Sequence, residues 1–430
     1  MKKCIVIGGG IAGLTSATYL TKYGVKTELI ESKNKLGGRA YSIKDRKHNS
    51  VIDNGQHILM GCYEETLKFF RLISAQNNLT YQKQLFITFI NNNSEFHYLE
   101  ATKLFHPLNL IMGLLNYSFL NFSEKISLIF FFIKLAFSGT DYLKNLTVDE
   151  WLNRENQSEN LKQSFWEIVC VGTLNSSTNK ASAEIFKVVL KKMFLDSNFS
   201  STIILPKYGL SETYCHPAKE FILKMGSKIS LSENVLELKT KKAVITKIVT
   251  NKRIINDFDF VISTVPLTAL SKFYSGDEIK NVSFDYSCIV SVHIWLKENK
   301  LQNKFYGLIN SSVHWIFNHD DHITLVISDA NYIKATKNDE IFEMCLIELE
   351  KYIKIKKEDI IDYKIIKEKD ATFIPSNKNL NNRPKTKTKI NNLFLAGDWT
   401  YTGLPATLEG AVVSGKKAVE SILNNLNSER

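Results

Sequence analysis

The sequence contains few cysteines, and they show no pairing pattern. Its 430 residues include six cysteines, with no CxxC pair and no metal-ligand spacing among them. Such spacings mark zinc sites and disulfide-rich secreted folds, so neither class is indicated. We therefore expect reduced, buried thiols, no bound metal and a cytoplasmic location.

Long apolar runs are also missing. The best candidate for a membrane span, Ile126–Phe137, has about a dozen residues where a spanning helix needs roughly 20. The N-terminal run MKKCIVIGGG is too short and too rich in glycine for a signal peptide. We expect neither a membrane span nor export, and no internal repeat or long linker divides the chain.

The remaining composition is that of a packed globular protein. Hydrophobic residues make up 44% and charged residues 23%, which excludes disordered and collagen-like classes. The 55 Lys and Arg residues exceed the 44 Asp and Glu residues, for a net charge of +11. This excess favours anionic partners, namely phosphates, acidic lipids or nucleic acid, without choosing among them.

A glycine-rich turn lies near the N-terminus, between the apolar run Lys3–Ile7 and the helical pattern Leu14–Tyr23. In the order strand, turn, helix, such glycines permit a tight turn, a close approach to a pyrophosphate and close helix packing. The sequence therefore predicts a dinucleotide site. The residues expected to form it are Gly8, Gly10, Ile11, Ala12 and Gly13.

Glu31 completes this pattern. It ends a second apolar run, Lys26–Ile30, and lies 18 residues after Gly13. An acidic residue near this spacing binds the ribose hydroxyls of the adenosine half, and its charge disfavours the 2′-phosphate of NADP. FAD and NAD share the fingerprint, and a glycine-rich turn without a ligand is the alternative.

The loop after Glu31 begins with Ser32 and contains Gly37, Gly38 and Arg39. This GGR element resembles the second signature of the FAD-dependent amine oxidase and phytoene desaturase superfamily. The resemblance implies non-covalent FAD, with Ser32, Gly38 and Arg39 near the cofactor. The planar Arg39 side chain suits the diphosphate or the flavin edge, although a solvated surface arginine is the alternative.

The C-terminal run Asn392–Gly415 has a strand, a Gly-Asp step and a helix of small residues. It resembles the C-terminal GD motif of the same superfamily. The resemblance implies that Gly397 and Asp398 hold the ribityl-phosphate arm of the cofactor. Asp398 as a helix cap is the alternative. By the same resemblance, the residues against the flavin are Pro405, Ala406 and Thr407, and the residue near the adenine is Val235.

Because both ends of the chain contribute to one site, the resemblance implies an α/β, amine-oxidase-type fold. We expect a discontinuous, Rossmann-like FAD-binding domain from residues 1–60, 200–270 and 386–430. The intervening residues 61–199 and 271–385 are expected to form a mixed α+β substrate domain.

The motifs DNGQH at Asp53–His57 and GLSE at Gly209–Glu212, together with the C-terminal tail, resemble the hydroxysqualene dehydroxylase family. The resemblance implies FAD-dependent removal of a hydroxyl group from a long apolar polyprenoid in squalene and hopanoid biosynthesis. It also places Gly55, Gln56 and His57 along the flavin. The segment Ser176–Thr178 departs from the family, whose members commonly have a proline-rich segment at this place.

Loss of a hydroxyl group requires a proton donor. His57 is the first candidate, Asp53 the second and Glu409 a more distant one, because a buried carboxyl group can hold a proton at neutral pH. Each has a structural alternative. Gln56 and His57 could only hydrogen-bond the flavin or the backbone, and Asp53 could anchor a loop.

The segment Leu104–Phe137 contains two apolar stretches separated by Ser123–Lys125. With the positive net charge, this pattern predicts peripheral docking on an anionic membrane surface, at the inner face of the cytoplasmic membrane. Two ordinary buried helices are the alternative.

Other functions fit parts of the sequence. A carotenoid-type desaturase would need the same FAD site, whereas the apolar middle of the chain disfavours a polyamine or amino-acid oxidase. A non-catalytic FAD-binding protein is a further alternative. Nucleic-acid binding is not expected, because the basic residues are interspersed with acidic ones. The oligomeric state is not predicted.

Overall fold

The structure is a computed structural model that describes residues 1–428. Within that range the strands, numbered β1 to β20 along the chain, are Lys3–Ile7, Lys26–Ile30, Ser42–Asp45, Ser50–Asp53, Leu59–Met60, Leu79–Tyr81, Phe86–Ile90, Phe96–Glu100, Ile203–Pro206, Lys228–Ser230, Val235–Lys241, Val244–Thr250, Ile254–Ile255, Phe260–Ser263, Tyr286–Leu296, Phe305–Leu308, Trp315–Asn318, Ile323–Ile327, Ile360–Phe373 and Leu393–Leu395. The α-helices of the same range, numbered α1 to α14, are Ile11–Lys22, Glu64–Leu72, Leu108–Asn116, Phe122–Phe137, Val148–Arg154, Glu159–Leu161, Glu167–Leu174, Ala183–Phe194, His216–Lys224, Leu267–Leu270, Asp277–Lys280, Asn338–Ile353, Asn377–Asn381 and Leu408–Ser428.

A parallel sheet of five strands, in the order β10-β2-β1-β14-β20, forms the first layer. Its central strands are buried along most of their length, as expected for parallel strands covered on both faces. The strands come from the beginning, the middle and the end of the chain. The predicted α/β fold with a discontinuous Rossmann-like region is thereby confirmed.

Two helices from opposite ends of the chain, α1 and α14, pack against each other beside this sheet. A Cβ atom at Gly415 would lie 2.5 Å from the carbonyl oxygen of Ala12, so only glycine permits this approach. Ser16 donates hydrogen bonds to the carbonyl oxygens of Ala12 and Gly415 across the same contact. The C-terminal helix is thus held directly against the glycine-rich turn.

The second layer is built on a mixed sheet in the order β19-β15-β18-β17-β16-β7-β8. All its pairings are antiparallel except that of β16 with β7. The helices α4, α5, α7 and α8 share one large apolar cluster with residues of β7, β16 and β17. This arrangement is the mixed α+β part of the predicted fold.

The boundary between α3 and α4 differs from the prediction. The two helices are separated by residues 117–121, and Ser123–Lys125 forms the first turn of α4. Asn121 explains the shift, because its side chain accepts a hydrogen bond from the Glu124 N–H while Glu124 accepts one from the Asn121 N–H. None of the described helices combines the length and apolar character that crossing a membrane requires.

Candidate functional site

A single elongated cavity of about 860 Å³ runs from the parallel sheet into the second layer. The glycine-rich turns of both chain ends form one extremity. All but two of the predicted cofactor-binding residues line this end, the exceptions being Gly13 and Val235. The glycine-rich turn, the GGR element, the DNGQH motif and the C-terminal GD motif therefore all contribute residues to the same cavity.

The glycines of the first turn divide into two kinds. Gly8 has a φ of +107°, and a Cβ atom on Gly13 would lie 1.9 Å from the Gly8 carbonyl oxygen, so these two glycines allow the turn itself. A Cβ atom on Gly10 would meet only the Gly38 Cα atom, at 3.8 Å. Gly10 therefore leaves an open cavity wall at the N-terminus of α1, where a diphosphate is favoured.

Glu31 lies at the carboxyl end of β2, beside this opening. Its Oε2 accepts a hydrogen bond from the Gly9 N–H at 2.6 Å. Its Oε1 accepts from the Lys33 N–H at 2.8 Å and from the Ser32 hydroxyl at 3.1 Å. These donors fix the carboxylate in place, and its remaining lone pairs can accept from ribose hydroxyls.

Arg39 and Asp398, from opposite ends of the chain, form an ion pair. The second Arg39 nitrogen, Nη1, donates to the Ala371 carbonyl oxygen at 2.9 Å. Two nitrogens of the guanidinium group are therefore engaged by protein acceptors, while Arg39 still lines the cavity. Asp398 is likewise bound through its side chain to Arg39, so its part in a ribityl site would rest on backbone groups and its remaining lone pairs.

Sequence reasoning missed Arg383, which lies in a predicted substrate segment. Its Nη1 donates to the Leu404 carbonyl oxygen at 2.6 Å, and its Nη2 donates to the Asp398 carbonyl oxygen at 2.8 Å. Further acceptors are the Thr400 carbonyl oxygen and the Thr402 hydroxyl. Burial lowers the Arg383 pKa to about 10, so the group stays charged at neutral pH. No motif marks this arginine, because its acceptors are mostly backbone carbonyls.

Gln56 and His57 also line the cavity. The Gln56 Nε2 atom is buried and has no hydrogen-bond partner in the described part of the chain. A buried amide donor without a partner is costly, and an acceptor on a flavin edge would satisfy it. The open wall at Gly10 and this orphaned donor fit the dinucleotide that the motifs predict.

The His57 imidazole is enclosed by the protein. Burial lowers its pKa, and the positive charge of Arg39 lowers it further, to about 4. The ring is therefore neutral in all but a small fraction of molecules at neutral pH. As a cation it would be a stronger acid than an ordinary histidine.

The other two proton-donor candidates are engaged elsewhere. Asp53 does not line the cavity, and its Oδ1 accepts from the Ser42 hydroxyl at 2.7 Å and the Leu210 N–H at 3.0 Å. Burial raises its pKa to about 6. This geometry favours the loop-anchoring alternative for Asp53.

Glu409 lines the cavity, but its carboxylate caps the N-terminus of α2. It accepts hydrogen bonds from the backbone N–H groups of Glu65 and Thr66, at 3.0 and 2.8 Å, and from the Thr66 hydroxyl at 2.7 Å. Burial raises its pKa. All of its partners are donors, which suits the carboxylate and corrects the hypothesis of a proton-donating Glu409.

Val235 also differs from the expectation that it meets the adenine. It pairs with Thr250 between β11 and β12 and is buried in an apolar cluster with Leu238 and Ile248. The resemblance concerned the backbone at this position, and Val235 is not among the residues that line the cavity.

The far half of the cavity is apolar. Its walls come mainly from α3, α4, α7 and α8 and from the mixed sheet. Aromatic rings of Phe165, Trp315 and Phe317 lie among the aliphatic side chains. Asn175 is a polar residue in this wall. Its Nδ2 donates to the Thr372 hydroxyl at 2.9 Å, and its Oδ1 accepts from the Asp329 N–H at 2.8 Å. This half suits a long hydrocarbon.

Comparisons with known proteins give a consistent result. The profile of a family described as flavin containing amine oxidoreductase matches residues 11–423. A hydroxysqualene dehydroxylase from Zymomonas mobilis is 23% identical over 98% of this chain and 99% of its own length. A 15-cis-phytoene desaturase from an Oncidium hybrid is 24% identical over 98% of this chain and 78% of its own.

Solved structures show the same fold at lower identity. An oxidoreductase from Methanosarcina mazei aligns with a TM-score of 0.74 and 14% identity, over 97% of this chain and 100% of its own. Cyclohexylamine oxidase from Brevibacterium oxydans aligns with a TM-score of 0.72 and 14% identity, over 99% of both chains.

Proposed function

The chain belongs to the flavin-containing amine oxidoreductase family, and from that premise we propose that it removes the hydroxyl group of hydroxysqualene to give squalene. It is an FAD-dependent oxidoreductase, and the substrate and reaction are the proposed part. The observation that carries the proposal is the cavity, which joins the dinucleotide end to a long apolar chamber. The proposal is also supported by the full-length similarity of the chain to hydroxysqualene dehydroxylases.

The residues of the dinucleotide end would hold FAD. The open wall at Gly10 and the N-terminus of α1 would accept its diphosphate, and Glu31 its ribose hydroxyls. The unpartnered Gln56 amide would donate to the flavin edge. Bound and reduced, FAD supplies the hydride equivalent that this reaction requires.

The apolar chamber would bind the hydrocarbon and exclude water from the reacting carbon. The C–O bond breaks, the hydroxyl leaves as water after taking a proton, and a C–H bond forms at the same carbon. We assign the proton to a ring nitrogen of His57, which lines the cavity. A low pKa suits this role, because hydroxide leaves poorly without a strong acid.

A carotenoid-type desaturase is the second candidate. It is favoured by the similarity to phytoene desaturases, which also covers nearly the whole chain. The two functions run the flavin in opposite directions, so the direction of electron flow separates them.

The test is an anaerobic single turnover with purified protein. Chemically reduced enzyme is mixed with hydroxysqualene, while the visible flavin absorbance and the squalene formed are followed. Squalene in amounts equal to the enzyme is expected. Absence of squalene, with phytoene reducing the oxidised enzyme instead, would replace the proposal by the desaturase.

A further inference from the structure

Exposed apolar side chains are concentrated on α3, α4 and the turn before α3. On α4 they form a continuous stripe, because its members recur every three or four residues along one face. The stripe consists of the exposed Phe122, Phe130, Ile133 and Phe137 and the half-buried Ile126. The three phenylalanines are 74%, 66% and 88% exposed, and the stripe is about 22 Å long at the rise of an α-helix.

The neighbouring helix extends this surface. α3 packs against α4, and the Lys125 ammonium group donates to the Leu115 carbonyl oxygen at 2.7 Å across the contact. Leu108 and Met112, one turn apart on α3, are exposed, and so is Phe105 just before it. We call the exposed residues of the α4 stripe, together with Phe105, Leu108 and Met112, the apolar face.

The apolar half of the cavity opens on this face. Ile133 and Phe137 are exposed members of the stripe and also line the cavity. Leu110 and Ile111 line it from α3. The apolar face and the apolar half of the cavity therefore share residues at Ile133 and Phe137.

Basic residues outnumber acidic ones at this face, although Lys134 of α4 is paired with Glu155 at 2.6 Å. Between residues 101 and 145 the acidic residues are Glu124, which is buried in its capping box, and Asp141, which pairs with Lys144 at 2.9 Å. No carboxylate of the described chain pairs with Lys103 or Lys125. Lysines beside an apolar helical face match the anionic headgroups of a bilayer, into which the phenyl rings would insert.

We propose that the apolar face docks on an anionic lipid bilayer and that the polyprenoid enters the cavity directly from the lipid, between α3 and α4. This inference rests on the proposed function for its substrate, but the docking itself does not. A hydrocarbon of this length is stored in membranes rather than in water, so an entrance that faces lipid avoids transfer through solvent.

Flotation with vesicles tests the docking. The probes are vesicles of phosphatidylcholine alone and of phosphatidylcholine mixed with phosphatidylglycerol, and we expect stronger binding to the mixture. The variant Phe122→Ser/Phe130→Ser should lose at least about tenfold in binding, because each ring loses its burial in lipid. Neither residue lines the cavity, so turnover of substrate presented in detergent should stay near the native value.

The matched control removes exposed apolar side chains elsewhere. Ile347→Ser/Ile361→Ser changes two exposed isoleucines outside the apolar face and should bind vesicles like the native protein. Equal binding by both double variants would overturn the proposal. So would a native dimer, detected by sedimentation without vesicles, that the phenylalanine variant dissociates, because a second copy would then cover the face.

Depth quenching gives an independent readout. All six native cysteines are buried, so a cysteine introduced by Phe130→Cys can be labelled selectively with a fluorophore. Brominated lipid should quench this label strongly and a label at Ile347→Cys weakly. Equal quenching at both positions would refute the orientation. Neither assay measures turnover, so an inactive enzyme that still docks would refute only the proposed reaction.

Discussion

Assigning the proton to His57 has a measurable consequence for the pH dependence of turnover. With a pKa of about 4, only about one imidazole in 10³ carries the proton at pH 7. The rate of the chemical step should then rise about tenfold for each unit by which the pH falls, or about 100-fold from pH 8 to pH 6. His57→Gln keeps a hydrogen-bonding side chain but cannot supply this acid, so it should lower the rate and flatten the profile.

The assay is the single-turnover reoxidation of reduced enzyme by hydroxysqualene, measured at each pH within this range. Asp53→Asn is the control, because Asp53 titrates near pH 6 but lies outside the cavity. This variant should keep the slope of the native enzyme. A native rate that does not change with pH, or a slope that survives in His57→Gln, would refute the assignment.

Three other predictions concern the cofactor, the loop and the fold. Gly10→Val and Glu31→Ala should yield folded protein with little bound FAD, measured by visible absorbance, and normal occupancy in both would contradict the cofactor assignment. Arg383→Met removes the donors that hold the C-terminal loop and should destabilise the protein by about 3 kcal/mol in urea unfolding, whereas an unchanged midpoint would count against that role. His293 and His314 are buried, and burial lowers their pKa values to about 3 and 4. The unfolded chain protonates these histidines at a higher pH than the folded protein does. The free energy of unfolding should therefore fall as the pH drops below about 6.5, by on the order of 2 kcal/mol per histidine at pH 5. His314→Gln should remove only its own share, on the order of 2 kcal/mol at pH 5, because other histidines with lowered pKa values, including His57 and His319, keep theirs. Unfolding free energies measured against pH check it.

The sequence predicted those parts of the site whose backbone geometry demands particular residues. The turn at Gly8 and Gly13 needs glycine for conformation and close approach, and Glu31 follows at a spacing that the βαβ unit sets. Such constraints are local, so they leave a local signal. The parallel sheet and the meeting of both chain ends followed from the same motifs.

Interactions between distant side chains were predicted less well. Arg39 looked free in its motif, because the sequence does not show that Asp398 lies within reach of it. For Asp53 the sequence left a catalytic and a loop-anchoring role open, and it gave no sign that Ser42 and Leu210 donate to the carboxylate. In each case the partner is fixed by the tertiary fold, which leaves no periodic or spacing pattern to read.

The pairing of Arg39 with Asp398 also bears on how the protein is made. Residue 398 leaves the ribosome long after residue 39, and the edge strand β20 and helix α14 are completed last. A nascent chain can form the β1–α1–β2 unit early, but it lacks the second wall of the dinucleotide pocket. We therefore expect FAD to be bound only after β20 and α14 have joined the fold.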